Sequence, residues 1–194
     1  MNERNLDNLS PGWLHQGNRP LSCYCGDEDE YLRLFDKHFK GFSGTVLEIG
    51  PGTAYLCKHI MKNYDVDYTI LDIEKNIYEI KQMYITKKQA QKIQFINSKN
   101  YEDVFQREYD LLVSTFCLPE TPPYYWKSIF DDIRVKNCFV IDDGKWCDYE
   151  IERNQWLYKN FNSCEETQLI YTLKGYKEKG IQLSIGKNKI KEEI

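Results

Sequence analysis

An apolar run, Val46-Leu47-Glu48-Ile49, ends in the turn Gly50-Pro51-Gly52 and passes directly into the helix-forming stretch Ala54 to Lys62. Glycines at these positions can take positive φ and let a ligand approach the backbone closely, while the helix that follows offers unpaired N–H groups at its start. A strand, a glycine turn and a helix in that order read as a nucleotide-type site. They also commit the chain to alternating strands and helices.

The turn is not the dinucleotide fingerprint G-x-G-x-x-G, because Tyr55 stands where the third glycine belongs and an acid precedes the first. A carboxylate at Glu48 repels a pyrophosphate and suits a ligand carrying an ammonium or sulfonium charge. Further along, Asp72 closes a second strand-like run, Tyr68-Thr69-Ile70-Leu71, where a doubly wound fold places the acid that grips both ribose hydroxyls. S-adenosylmethionine meets both demands.

With these residues the chain resembles the class I S-adenosylmethionine-dependent methyltransferases over about residues 30 to 185. In that family an E-x-G-x-G turn holds the methionine moiety and an acid after the second strand holds the ribose. The resemblance gives these roles to Glu48, Gly50, Pro51, Gly52 and Asp72, with Tyr55 and Ile73 beside them. It also implies an adenine contact after the third strand, Ile93-Gln94-Phe95-Ile96, where Asn97 or Ser98 fills the place. At the end of the fourth strand, Tyr109 to Ser114, the residues Ser114, Thr115 and Phe116 would border cofactor and substrate. The stretch Ser114-Thr115-Phe116-Cys117-Leu118-Pro119-Glu120 is similar to sugar O-methyltransferases, which usually have Asn where Thr115 stands. The amino-methyltransferase signature [DN]-P-P-[YF] is absent from this position, which favours an oxygen acceptor by elimination.

The pattern predicts strands at 45–49, 67–71, 92–96, 109–114 and 137–142, with helices at 54–63, 75–85, 101–105, 124–134 and 148–160. An earlier helix, from Glu30 to Phe39 after a cap at Asp27, presents Tyr31, Leu34, Phe35 and His38 on one face. Two final runs, Gln168 to Leu173 and Ile181 to Ile185, flank a hairpin-like connection. The expected fold is therefore α/β and doubly wound, or Rossmann-like. It has a mostly parallel seven-stranded sheet, helices on both faces and an antiparallel C-terminal hairpin. Residues 1–26, rich in turn formers and containing Trp13, His15 and Arg19, read as an irregular arm; residues 27–194 form one domain.

Composition narrows the partners. The chain of 194 residues is 41% hydrophobic, long enough for one sizeable core. With 26 basic against 30 acidic residues and no clustered basic face, a nucleic acid partner is not expected and a small-molecule substrate fits better. The absence of a leader or a long apolar run predicts a cytoplasmic protein without membrane attachment. Seven cysteines at irregular spacing give no disulfide framework; Cys57 and Cys138 read as small core hydrophobes, and no metal site is expected. Oligomeric state is not legible.

Methyl transfer needs alignment more than acid–base machinery, so few candidates are required. Glu120, just past the fourth strand, is the preferred acceptor-orienting group or base, and it reads equally well as a helix-capping carboxylate. Asp142 is the second candidate because ligands bind outside the carboxyl ends of such strands, although Asp142-Asp143-Gly144 also has the composition of a turn. Two other classes remain: a cofactor-binding regulatory protein on the same fold, and a nucleotide-dependent oxidoreductase, which Tyr55 and the final hairpin disfavour.

Overall fold

The computed structural model describes residues 28–142, 147–161, 163–173 and 176–187, without the side chains at 28–30, 120, 147, 163–184 and 187. The expected N-terminal arm, the Asp27 cap and Asp143 lie outside the described residues.

Among the described residues, seven strands form one sheet in the order β3-β2-β1-β4-β5-β7-β6. They are β1 (Ser43–Ile49), β2 (Asp65–Asp72), β3 (Ile93–Asn97), β4 (Glu108–Thr115), β5 (Arg134–Asp142), β6 (Ser163–Leu173) and β7 (Tyr176–Lys187). The pairs β1–β2, β2–β3, β1–β4 and β4–β5 are parallel, and β7 runs antiparallel to both β5 and β6. The chain thus leaves β1 toward one edge, returns, and places β4 on the other side of β1. Such a reversal opens a crevice at the carboxyl ends of β1 and β4.

The helices are α1 (Glu28–Phe39), α2 (Tyr55–Asn63), α3 (Glu74–Glu79), α4 (Lys87–Ala90), α5 (Pro123–Asp132) and α6 (Cys147–Asn160). Alternating residues of the central strands feed two apolar cores, one on each face. Val46, Leu111, Val113, Phe139 and Ile141 join Tyr31, Phe35, Leu56 and Ile60 of α1 and α2. Leu47, Ile49, Leu112, Cys138 and Val140 join Trp126, Ile129, Tyr149 and Trp156 of α5 and α6. Cys57 and Cys138 are fully buried, in keeping with their reading as core residues.

Several boundaries differ from expectation. The helix predicted at 75–85 is α3 followed by a π-helical turn, Ile80–Tyr84, and the one predicted at 101–105 is a pair of 3-10 turns spanning Ser98–Gln106. The helix predicted to reach 134 stops at Asp132, because Arg134 already pairs with Glu108 as the first residue of β5. The last two strands are longer than their apolar runs, since ladder pairing continues through Tyr176 to Gly180. Sheet hydrogen bonds, which carry no hydrophobic signature, set these limits.

At the amino ends of the strands Asp110 ties three elements together. Its carboxylate accepts from Thr45 N at 2.8 Å, Thr45 Oγ1 at 3.0 Å and Lys136 Nζ at 2.7 Å. Burial pushes its pKa up, but these bonds and the lysine charge outweigh that and hold it below the ordinary value. The latch lies at the opposite end of the sheet from the glycine turn.

Candidate functional site

Gly50 and Gly52 adopt left-handed φ of 65° and 55°, as the sequence required of them. Gly50 N donates to Leu71 O at 3.0 Å, which fixes the turn against the end of β2. A Cβ on Gly50 would collide with the Cys117 side chain, whereas a Cβ on Gly52 would meet nothing within 4 Å. Gly50 therefore serves close packing, and Gly52 faces open space. Ala54 is also left-handed, at φ 54°, and its N–H donates to Pro51 O at 2.8 Å before α2 begins at Tyr55. We expect Gly50→Ala to destabilise the fold by about 1–3 kcal/mol, since it adds strain and overlap together. Gly52→Ala adds only the strain, so thermal denaturation should rank Gly50→Ala as the more damaging.

Glu48 lies beneath this turn, fully buried. Tyr68 Oη donates to its Oε2 at 2.9 Å, while Oε1 is buried without a hydrogen-bond partner. Burial pushes its pKa up to about 8, the Tyr68 bond opposes that, and the charge of Asp72 adds to it. Asp72 ends β2 at 8% exposure. Its Oδ1 accepts from Ile73 N at 2.7 Å and Asn76 Nδ2 at 3.0 Å, and its Oδ2 is buried without a partner. Burial lifts its pKa to about 7, against the bonds from Ile73 and Asn76. Two adjacent acids therefore each hold one oxygen with no donor. A buried acceptor left unmet costs about 1–3 kcal/mol, so a donor from water or a bound molecule at either oxygen would be stabilising.

Because both carboxylates titrate above their ordinary values of 4.5 and 3.8, the empty fold binds more protons than the unfolded chain through this range. Their contribution to stability is present below the unfolded values and is lost as pH rises through the folded ones. The melting temperature of the ligand-free protein is expected to fall between about pH 5 and pH 8, and to fall less in Glu48→Gln. A flat profile in both proteins would contradict the burial of these acids.

The remaining residues named from sequence divide. Asn97 lies in register beside Asp72, but its Oδ1 accepts from Lys99 N at 3.0 Å and caps the turn that follows; Ser98 is buried next to it. Ser114 Oγ donates to Ile49 O at 3.3 Å and braces β4 against β1, while Thr115 is half-buried at the strand end. Tyr55 is buried against Tyr31, with ring centroids 6.2 Å apart. Glu120 ends a single 3-10 turn, Leu118–Glu120, and its side chain lies outside the described residues.

Asp142 stands differently from the expectation that it would act on a substrate. It is fully buried, accepts from Arg153 Nη1 at 2.6 Å and Tyr149 Oη at 3.0 Å, and thereby fastens α6 to the end of β5. A base needs an oxygen that the acceptor can reach, and both oxygens of Asp142 are engaged inside the protein. Its role is anchoring.

Sequence reasoning missed three contributors. Tyr68 shares a sheet face with Glu48, because it pairs with Val46 in the parallel ladder. Asn76 is four residues beyond Asp72, a spacing that signals contact on a helical turn. Cys117 over Gly50 had no signal, since that contact is long-range. Among the described residues, no group of three His, Cys, Asp or Glu side chains could hold a metal ion, and no helix is long and apolar enough to cross a membrane.

No protein-family model matches the sequence, and no curated protein matches it. Solved structures do match in shape. Precorrin-6y C5,15-methyltransferase from Geobacter metallireducens aligns with a TM-score of 0.59 at 13% identity, covering 84% of this chain and 87% of that one. This is the class I methyltransferase fold. The methyltransferase domain of bacterial CtHen1 aligns at 0.58 and 13% identity, over 82% of this chain and 96% of that one. TrmK from M. capricolum, solved with S-adenosylhomocysteine as its natural cofactor product, aligns at 0.57 and 15% identity, over 86% and 70%. Of these three names only the first states a substrate, and the property shared with this chain is the methyltransferase fold itself.

Proposed function

We propose that this chain is an S-adenosylmethionine-dependent methyltransferase that acts on a small molecule, with an oxygen atom as acceptor. The observation that carries the reading is the buried, unpartnered Oδ2 of Asp72 beside a glycine turn with open space over Gly52. A ribose offers two adjacent hydroxyl donors to such an acid, and the methionine end offers an ammonium whose charge suits Glu48 beneath the turn. When bound, the cofactor supplies a methyl group made electrophilic by the positive sulfur.

The chain's own residues bind and orient. Asp72 receives the ribose hydroxyls on Oδ2 while Ile73 N and Asn76 hold its other oxygen still. Glu48 acts on the ligand's positive end through charge. Ser98 and Asn97 border the adenine, and Ser114 and Thr115 define the wall nearest the acceptor. Glu120 is the group that we assign to orient the acceptor or take its proton. The protein works in the cytoplasm.

Exposure to S-adenosylmethionine, S-adenosylhomocysteine and NADH in a thermal-shift series tests this reading. We expect the first two to stabilise the protein and NADH to leave it unchanged. Transfer of radiolabelled methyl to hydroxylated compounds then tests catalysis. Saturable donor binding with no transfer to any hydroxyl acceptor would favour a regulatory protein on this fold.

A further inference from the structure

β3 is the last strand on its side of the sheet: it pairs with β2 along Ile93–Asn97, and among the described residues no strand pairs with its other edge. Such an edge carries a row of backbone N–H and C=O groups able to pair with another chain, over about 17 Å for a strand of this length. On one face it is bordered by the π-helical turn Ile80–Tyr84 and by α4. Ile80 and Ile85 share a core with Ile93, and Tyr84 and Phe95 pack against it. A capping box holds α4 in place: Thr86 Oγ1 accepts from Gln89 N at 3.2 Å, and Gln89 Oε1 accepts from Thr86 N at 2.9 Å.

Charge is segregated along this edge. Residues 80–101 contain five lysines and no acid, in a chain where acids outnumber bases by 30 to 26. Lys92 precedes β3, Lys99 follows it, and Lys81 Nζ lies 4.2 Å from the centroid of the Phe95 ring at mid-strand. Lys87 and Lys88 belong to α4, which packs beside β3. Spaced through several elements, the five form no run in the sequence; the fold gathers them. All are exposed, and among the described residues Lys81, Lys87, Lys88 and Lys92 have no carboxylate partner. Asp67 precedes Tyr68, the β2 residue paired with Ile93, and even it forms no ion pair with Lys92. Elsewhere exposed lysines are paired, Lys75 with Glu79 and Lys136 with Asp110. Tyr78 and Met83, on the helical segment that leads to α4, are 66% and 69% exposed.

Lysines along an open edge repel a second copy of that edge, which is one way folds avoid sheet-to-sheet association. They attract an acidic strand. We propose that the β3 edge docks an extended acidic segment of a partner protein, which joins the sheet through its backbone while its carboxylates meet the lysines. Tyr78 and Met83 offer apolar contact to its other side chains. Strand addition takes affinity from the ladder hydrogen bonds, and the charges select the partner. A nucleic acid fits less well, since it cannot continue a backbone ladder, Lys81 already covers a face of Phe95, and no arginine lies between Arg33 and Arg107.

Fluorescein-labelled probes titrated into the full chain and followed by anisotropy test this: a peptide of alternating glutamate and valine, one of alternating lysine and valine, and poly(U) RNA. We expect the acidic peptide to bind saturably, at least about ten-fold tighter than the other two, and less tightly as salt is added. Lys81→Glu combined with Lys92→Glu should weaken it by at least about ten-fold. Lys159→Glu, at an exposed position of α6 and away from this edge, should leave it within about two-fold. Amide hydrogen exchange separates strand addition from charge attraction alone, because amides within β3 should slow when the peptide binds. No binding of the acidic peptide, poly(U) binding as tight or tighter, unchanged affinity in the double variant, or binding without slowed exchange in β3 would overturn the proposal.

Discussion

Replacing Arg153 by leucine is expected to destabilise the protein by about 3–5 kcal/mol, because it strands the Asp142 carboxylate inside the core without its cation. Both side chains are at 0% exposure and meet at 2.6 Å. The bond from Tyr149 does not neutralise the charge, so the acid must either stay ionised at high cost or take up a proton. For a domain of this size that loss corresponds to a fall in melting temperature on the order of 10 °C. Arg153→Leu combined with Asp142→Leu removes both charges, and should recover much of the loss even though the ion pair is gone. Denaturant titration of the three proteins checks this; a single variant within about 1 kcal/mol of the native chain would show that the pair does not anchor α6.

Asp72→Ala is expected to act in the opposite way, with little effect on the empty protein and a large one on the donor. It gives up the bonds to Ile73 N and Asn76 Nδ2, but it also removes a buried acid whose pKa is pushed up to about 7 and whose Oδ2 has no partner. These changes offset each other in stability. In binding they do not: the variant should weaken S-adenosylhomocysteine by about 1–3 kcal/mol, roughly 5- to 150-fold. Asp72→Asn, which keeps an acceptor oxygen, should fall between. Equal affinity in the native and alanine proteins would remove Asp72 from the donor site.

Much of this arrangement was legible because it is local. The glycine turn follows from two residues that tolerate positive φ, and Asp72 follows from its place at the end of a buried apolar run. The two cores follow from strict alternation along β1, β4 and β5. What was not legible depends on contacts between distant segments. The sequence pattern gives Asp142 the position of a reactive acid, and only the i+7 and i+11 partners Tyr149 and Arg153, brought back by α6, reveal it as an anchor. The cap that the Asn97 side-chain oxygen places on the turn after β3, through a backbone N–H two residues on, is a local competition common for short polar residues and has no hydrophobic signature. The left-handed Phe116, at φ 56°, could not be anticipated, because its conformation is imposed by Ile141 and by the fit of Cys117 over Gly50.

On the proposed function, the two buried carboxylates at the glycine turn form a donor site that S-adenosyl ligands complete. It is tested most directly by calorimetric titration with S-adenosylhomocysteine near pH 7, in two buffers of different ionisation heat. Glu48, with its pKa pushed up to about 8, is mostly protonated in the empty protein, and the ligand's ammonium draws it toward the ionised form. Saturable one-site binding accompanied by proton release is expected, with the release diminished in Glu48→Gln. Absence of binding, or binding without proton exchange in the native protein, would contradict it.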